Sequence, residues 1–214
     1  MTCIVVVGAH RSGTSLTAGI LHQAGVNMGR RFREPDEWNP TGYWGDLDWL
    51  DLNKKLLRDA GGNWYTPPGI EALAAQGEAL ADEIRALVAR KDEAPLWGFK
   101  DPRTCLTIGV LLPHLPPDTR FLIVRRGKAA VVRSLMRRAE GRGYYETREH
   151  WWALTEEYYR RLANFTEWHM GYTLRVSYSQ LIDRSQRQSV ARWLAWLCSL
   201  DSFCIEQAME RMVR

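Results

Sequence analysis

Three short clusters of charged and hydroxyl side chains could carry chemistry in this chain. They are His10-Arg11-Ser12 within VVVGAHRSGTSL (5–16), Lys100-Asp101 within GFKDPRTCL (98–106), and Arg125-Arg126 within FLIVRRGKAAVVRSL (121–135). The first follows three β-branched residues and is spaced from Gly8 to Ser15 as G-x-x-x-x-G-x-[ST]. That is the P-loop outline with Thr14 where the lysine of nucleotide triphosphatases stands. A strand feeding such a turn and then a helix directs backbone N–H groups and the positive end of the helix dipole at one point, which suits a phosphate. Arg11 adds charge, and Gly13 lets the ligand approach closely. In the third cluster, Arg126 ends a strand and Ser134 lies eight residues on in the next helix. An arginine fork and a hydroxyl can grip a second anion from two sides. Two anion sites are implied, contributed by His10, Arg11, Ser12, Gly13, Thr14 and Ser15 on one side and by Arg126 and Ser134 on the other.

The elements that position these clusters follow from hydrophobic periodicity. Short apolar strands are predicted at 3–7, 96–99, 120–124 and 173–178. Helices are predicted at 14–24, from about 48 to 57, at 70–90, after Lys100-Asp101-Pro102-Arg103 up to Pro113, and at 128–140, 147–169, 186–198 and 202–212. Strands alternating with helices give an α/β fold, a three-layer parallel sheet flanked by helices, with ligands bound outside the carboxyl ends of the strands. All three clusters sit at those ends, so they should converge.

Composition narrows the partners. The chain has 214 residues, 45% of them hydrophobic, and no long linker, so one domain over 1–214 is expected. Its 29 basic residues, mostly arginine, against 25 acidic ones give a net charge of +4, which suits a small polyanion better than a nucleic acid. Cys3, Cys105, Cys198 and Cys204 form no C-x-x-C pair, so neither a metal site nor a disulfide framework is indicated. The run from Cys3 to Val7 is too short for a signal sequence or a membrane span. A cytoplasmic protein without membrane association is expected.

With these motifs placed, the chain resembles the sulfotransferases that use 3′-phosphoadenosine-5′-phosphosulfate (PAPS), in their compact bacterial or phage form with a P-loop nucleotide-hydrolase-like fold. HRSGTSL is similar to that family's 5′-phosphosulfate loop, with Arg11 taking the place of the residue that contacts the leaving phosphate. FLIVRRGKAAVVRSL is similar to its 3′-phosphate motif, although Gly127-Lys128 replaces the common Asp-Pro. GFKDPRTCL resembles its K-D-P segment and RVSYSQLI its R-x-Y-E-x-L segment, here with Ser179 for Glu. The resemblance implies transfer of a sulfuryl group from PAPS, as co-substrate and without a metal, to a hydroxyl or amine of a small-molecule or glycan acceptor. It gives Lys100 the bridging oxygen of the departing 3′,5′-ADP, Tyr178 the adenine, and Asp101 the orientation of arginines. Positioned cations and N–H dipoles supply most of the catalysis in such an in-line displacement.

The acceptor hydroxyl also needs a base. The family's carboxylate or histidine lies between the first helix and the second strand, where this chain offers Glu34, Asp36, Glu37 and Asp46. The block NPTGYWGD carries Gly45 where relatives have Glu, which favours the unobstructed neighbour Asp46. His10 belongs to the phosphate side, and His22 reads as a packed mid-helix residue. Among the aromatic residues Trp38, Tyr43, Trp44, Trp49 and Trp64, which should overhang the site, Trp49 reads as core; Trp151, Trp152, Trp193 and Trp196 read as helix packing. Two other readings keep the loop but change the chemistry: a nucleotide or small-molecule kinase, and a nucleotide-binding module without turnover. Against the kinase stand the missing lysine and a third strand that ends in arginine instead of a magnesium-holding Asp. Neither the acceptor nor the oligomeric state is written in the sequence.

Overall fold

The computed structural model describes residues 1–141, 143, 146–169 and 171–213. Four strands, β1 (Thr2–Val7), β2 (Leu96–Lys100), β3 (Thr119–Arg125) and β4 (Thr173–Ser177), form one parallel sheet in the order β2-β1-β3-β4. Continuous apolar runs suit strands covered on both faces. In β1, Cys3, Val5 and Val7 face one core and Ile4 and Val6 the other; in β3, Phe121 and Ile123 share the first face and Leu122 and Val124 the second.

The first layer holds α2 (Leu47–Asp59), α3 (Ile70–Ala79), α4 (Ala81–Lys91), α5 (Thr104–Leu111), α6 (Lys128–Glu140) and α7 (Arg148–Trp168). Its centre is Trp49, which stacks on Phe99 with ring centroids 3.8 Å apart. The second layer holds α1 (Thr14–Gln23), α8 (Tyr178–Ile182), α9 (Arg187–Cys198) and α10 (Ser202–Met212). No helix among the described residues is long and apolar enough to cross a membrane.

Register brings the clusters together. Val6 of β1 lies opposite Lys100, Val7 opposite Ile123, and Arg125 opposite Ser177, so the turn after β1 sits between the ends of β2 and β3. The connection from β1 runs to one side of the sheet while β3 flanks its other side, making this the crevice where α/β sheets bind ligands.

Three elements differ from the sequence expectation. The helix expected at 70–90 is two, broken at Leu80, whose φ of −105° and ψ of 11° are not helical. Its buried positions 73, 77, 84, 87 and 88 continue at helical spacing across the break, so periodicity does not reveal it. Tyr178 does not end the fourth strand. β4 stops at Ser177, which caps α8 in a reciprocal capping box with Gln180, and Tyr178 is that helix's first residue. Trp193 and Trp196, expected to pack between helices, are exposed.

Candidate active site

The three strand ends open into one cavity of about 450 Å³, within the size range of small-molecule sites. Its wall includes His10, Arg11, Gly13, Thr14 and Ser15 from the turn after β1, Lys100, Asp101 and Arg103 at and after the end of β2, Arg126 just after β3, and Tyr178 at the start of α8.

The turn after β1 is built to receive an anion. Gly13 is the N-cap of α1 at φ 105°, a conformation that L side chains rarely adopt, and a Cβ there would lie 2.6 Å from Tyr178 Cδ2. No side chain caps α1 and no acidic residue occupies its first turn. The helical bonding begins with Thr17 N–H donating to Gly13 O at 3.1 Å, which leaves the amides of Thr14, Ser15 and Leu16 at the cavity end of the helix. Ser12 departs from expectation. Its N–H is spent on Ala9 O at 3.1 Å, and its hydroxyl is buried with no partner among the described residues, so it shapes the turn from beneath instead of presenting a donor.

Lys100 projects from the end of β2 with 5% exposure and donates through Nζ to Ser15 Oγ at 3.1 Å. Burial, with Arg103 and Arg138 nearby, pulls its pKa from 10.5 to about 8 against the opposing pull of Asp101. A protonated amine so poorly solvated favours an incoming anion. Gly45 has its reason here: a Cβ at that position would lie 2.7 Å from the Lys100 carbonyl and 3.4 Å from its Nζ.

Arg11 corrects a sequence expectation. Its backbone adopts φ 66°, and its guanidinium turns away from the loop to donate to Ser134 Oγ at 3.0 Å and to Trp38 O at 3.2 Å. Arg126 donates to Arg11 O at 3.2 Å while its guanidinium lies 4.3 Å from the centre of the Tyr178 ring. Arg11 and Arg126 therefore form one double-cation site. Ser134, 6% exposed, holds Arg11 and is not on the cavity wall, so its part is orientation. The β1–β2 end of the cavity is left to Lys100, Ser15 and the helix amides.

Asp46 also corrects an expectation. It is 1% exposed and absent from the cavity wall. One carboxylate oxygen caps α2 by accepting from Asp48 N–H at 3.0 Å. The other accepts from Arg30 N–H at 3.2 Å and from Lys91 Nζ at 2.8 Å. With both oxygens committed behind the wall, Asp46 is an N-cap and an ion-pair partner and cannot reach an acceptor. Glu34 and Glu37 are exposed off the cavity. Asp36 accepts from the Tyr43 hydroxyl and pairs with Arg33 at 3.1 Å. Among the described residues, Asp101 is the only carboxylate on the wall, where it holds the Arg103 guanidinium at 3.0 Å.

Several wall residues escaped sequence reasoning. Arg33, Lys54, Arg103 and Arg138 add positive charge. Arg103 follows Lys100-Asp101-Pro102 and could have been read from that segment, whereas Arg138 looks like an ordinary last-turn helix cation. Trp151, expected as helix packing, lines the cavity together with Trp64, their rings stacked 6.0 Å apart. Tyr43 overhangs as expected, Trp49 is core, and His22 packs against Phe32 and Trp44 away from the site.

A parallel sheet with an uncapped helix N-terminus, a buried lysine and two arginines at its carboxyl edge lines one cavity with positive charge in two places. A sequence profile described as the sulfotransferase family matches residues 3–197, and the chain belongs to that family. Its fold is similar to the "Sulfotransferase Domain from the Curacin Biosynthetic Pathway" (TM-score 0.59, 15% identity, 92% of this chain and 74% of that one). It is also similar to sulfotransferase STF9 from Mycobacterium avium (TM-score 0.55, 15% identity, 97% of this chain and 66% of that one). No curated protein matches the chain in sequence.

Proposed function

We propose that the protein transfers a sulfuryl group from PAPS to a hydroxyl-bearing small molecule or glycan, releasing 3′,5′-ADP. The observation that carries this reading is the presence of two separate cationic sites in one cavity, Lys100 with the α1 amides and Arg11 with Arg126. PAPS bears an anion at each end of its ribose and supplies a sulfuryl group on a good phosphate leaving group. Lys100 would donate to the oxygen that gains charge as that bond breaks, while the α1 amides hold the neighbouring oxygens without having to reorganise. Arg11 and Arg126 would bind the 3′-phosphate as a pair of forks, which neither ATP nor 5′-AMP can satisfy. Tyr178, fixed between Gly13 and Arg126, offers its ring for the adenine. The setting we assign is cytoplasmic, in keeping with four cysteines that form no disulfide.

Thermal unfolding tests the donor assignment. Ligand stabilisation follows the free concentration over Kd, so 3′,5′-ADP should raise Tm well beyond an equal concentration of 5′-AMP or ATP. Equal shifts with 5′-AMP would remove the 3′-phosphate site from the account.

A further inference from the structure

The cavity holds more positive charge than the donor assigned to it uses. Beyond Arg11, Lys100 and Arg126, its wall carries Arg33, Lys54, Arg103 and Arg138, and Asp101 is its only carboxylate among the described residues. These further cations are not equally neutralised. Arg33 pairs with Asp36 at 3.1 Å and lies over the Tyr43 ring, and Arg138 donates to the Tyr43 hydroxyl at 3.3 Å. Arg103 donates to Asp101 at 3.0 Å, but the same carboxylate also supports the charge of Lys100. Among the described residues the ion-pair partner of Lys54 is Asp51, an exposed residue 3.8 Å away, and water screens such a pair.

A buried polar tie brings Lys54 and Arg103 to the wall from one junction. Asn53, the neighbour of Lys54 in α2, donates through Nδ2 to Thr104 Oγ1 at 3.3 Å and to Asp101 Oδ2 at 3.5 Å, and its Oδ1 accepts from the Thr107 hydroxyl. All four side chains are buried, and a network satisfied in this way is rigid. Asp101 and Thr104 bracket Arg103 in the chain, so the network clamps the start of α5 to α2 with both cations on the cavity wall. Arg103 spends one guanidinium nitrogen on Asp101, which leaves the rest of its fork for a second oxyanion.

We propose that the acceptor is itself anionic: a hydroxyl compound whose carboxylate, phosphate or sulfate group is held by Lys54 and Arg103 while its hydroxyl faces the donor. This rests on the sulfotransferase reading, in which the donor's own anionic groups go to Lys100 with the α1 amides and to Arg11 with Arg126. The acceptor's oxyanion then has a separate pair of cations. A neutral compound of the same shape leaves that pair without a counter-charge, and a cationic one is repelled, so the pair selects by charge. The surplus positive field also draws anions from solution, and salt weakens that draw.

The test gives wild-type protein ³⁴S-labelled PAPS and a cell extract in three portions: untreated, treated with phosphatase that is then removed, and with its carboxylates converted to methyl esters. Labelled products of the untreated portion should carry an anionic group besides the transferred sulfate. Loss of label after phosphatase makes that group a phosphate ester, and loss after esterification makes it a carboxylate. Label that survives both, on a product whose mass includes an unlabelled sulfate, makes it a sulfate ester. Labelled products whose only anionic group is the transferred sulfate overturn the proposal and leave the sulfotransferase reading standing. No label in any portion removes that reading and the proposal with it. With the compound so found as acceptor, Lys54→Met should raise its KM by about 10-fold, the worth of one charge-assisted hydrogen bond, with 3′,5′-ADP affinity kept within a few-fold. Lys54→Arg should restore KM, and the rise of KM with ionic strength seen in wild type should weaken in Lys54→Met. A KM that Lys54→Met leaves unmoved, or a loss that Lys54→Arg shares or that tracks 3′,5′-ADP affinity, overturns the placement of the acceptor's anion on Lys54.

Discussion

Replacing Lys100 by Met should make the protein more stable and nearly inactive. The side chain is 5% exposed, and burial lowers its pKa from 10.5 to about 8, a difference corresponding to about 3 kcal/mol. Between those two values the unfolded chain binds more protons at this position than the native one, so wild-type stability climbs with pH across that window. Below the native value the deficit is present in full, and above the unfolded value it is gone. Met keeps the length of the stem and carries no charge, so the deficit disappears at every pH. Against this stands the lost hydrogen bond to Ser15 Oγ, about 1 kcal/mol. Urea unfolding at pH 7 should therefore place Lys100→Met about 2 kcal/mol above wild type, with the gap closing, and reversing by the value of that hydrogen bond, towards pH 10.5. Turnover should drop by on the order of 10²-fold or more while 3′,5′-ADP binding stays within a few-fold, because the interaction strengthens as the bridging bond breaks. A variant that is less stable than wild type at pH 7, or a gap that does not change with pH, would refute the picture of a poorly solvated charge held for catalysis.

Three further substitutions separate the roles of neighbouring residues. Asp46→Asn should cost about 1–3 kcal/mol in urea unfolding through the lost pairing with Lys91 and weakened cap, yet leave turnover per folded molecule unchanged; a collapse in turnover would return Asp46 to the chemistry. Gly45→Glu, which restores the residue common in relatives, places a Cβ 2.7 Å from the Lys100 carbonyl and should lower stability by about 1–3 kcal/mol together with activity, whereas gained activity would contradict the steric reason given for this glycine. Arg126→Ala should abolish the advantage of 3′,5′-ADP over 5′-AMP in thermal shift without removing the response to 5′-AMP, since Lys100 and the α1 amides are left in place.

The sheet and its clusters were legible because both depend on local signals. Continuous apolar runs mark buried parallel strands, and a glycine-bounded turn between strand and helix marks an anion site wherever it occurs. The direction of individual side chains was not legible. Arg11 follows the left-handed backbone at φ 66° toward Ser134, and nothing in HRSGTSL states that conformation. Asp46 precedes an apolar-periodic helix and carries the N-cap signature in its own sequence, Asp46-Leu47-Asp48, so its structural role could have been weighed against the chemical one. The partner that buries it, Lys91, lies 45 residues away, and such long-range pairs leave no local trace. His10 stood in plain view in the loop. What the sequence withheld was its contact with the rings of Trp64 and Tyr158, against which the imidazole packs with its Nε2 buried.

The central claim, sulfuryl transfer from PAPS, is tested most directly by incubating the protein with ³⁴S-labelled PAPS and a cell extract or acceptor library, and following label and nucleotide together by mass spectrometry. Sulfuryl transfer from PAPS should place ³⁴S in an acceptor product with equimolar release of 3′,5′-ADP and no requirement for Mg²⁺. Label that stays on PAPS, while the protein instead moves the terminal phosphate of ATP in a Mg²⁺-dependent reaction, would contradict it.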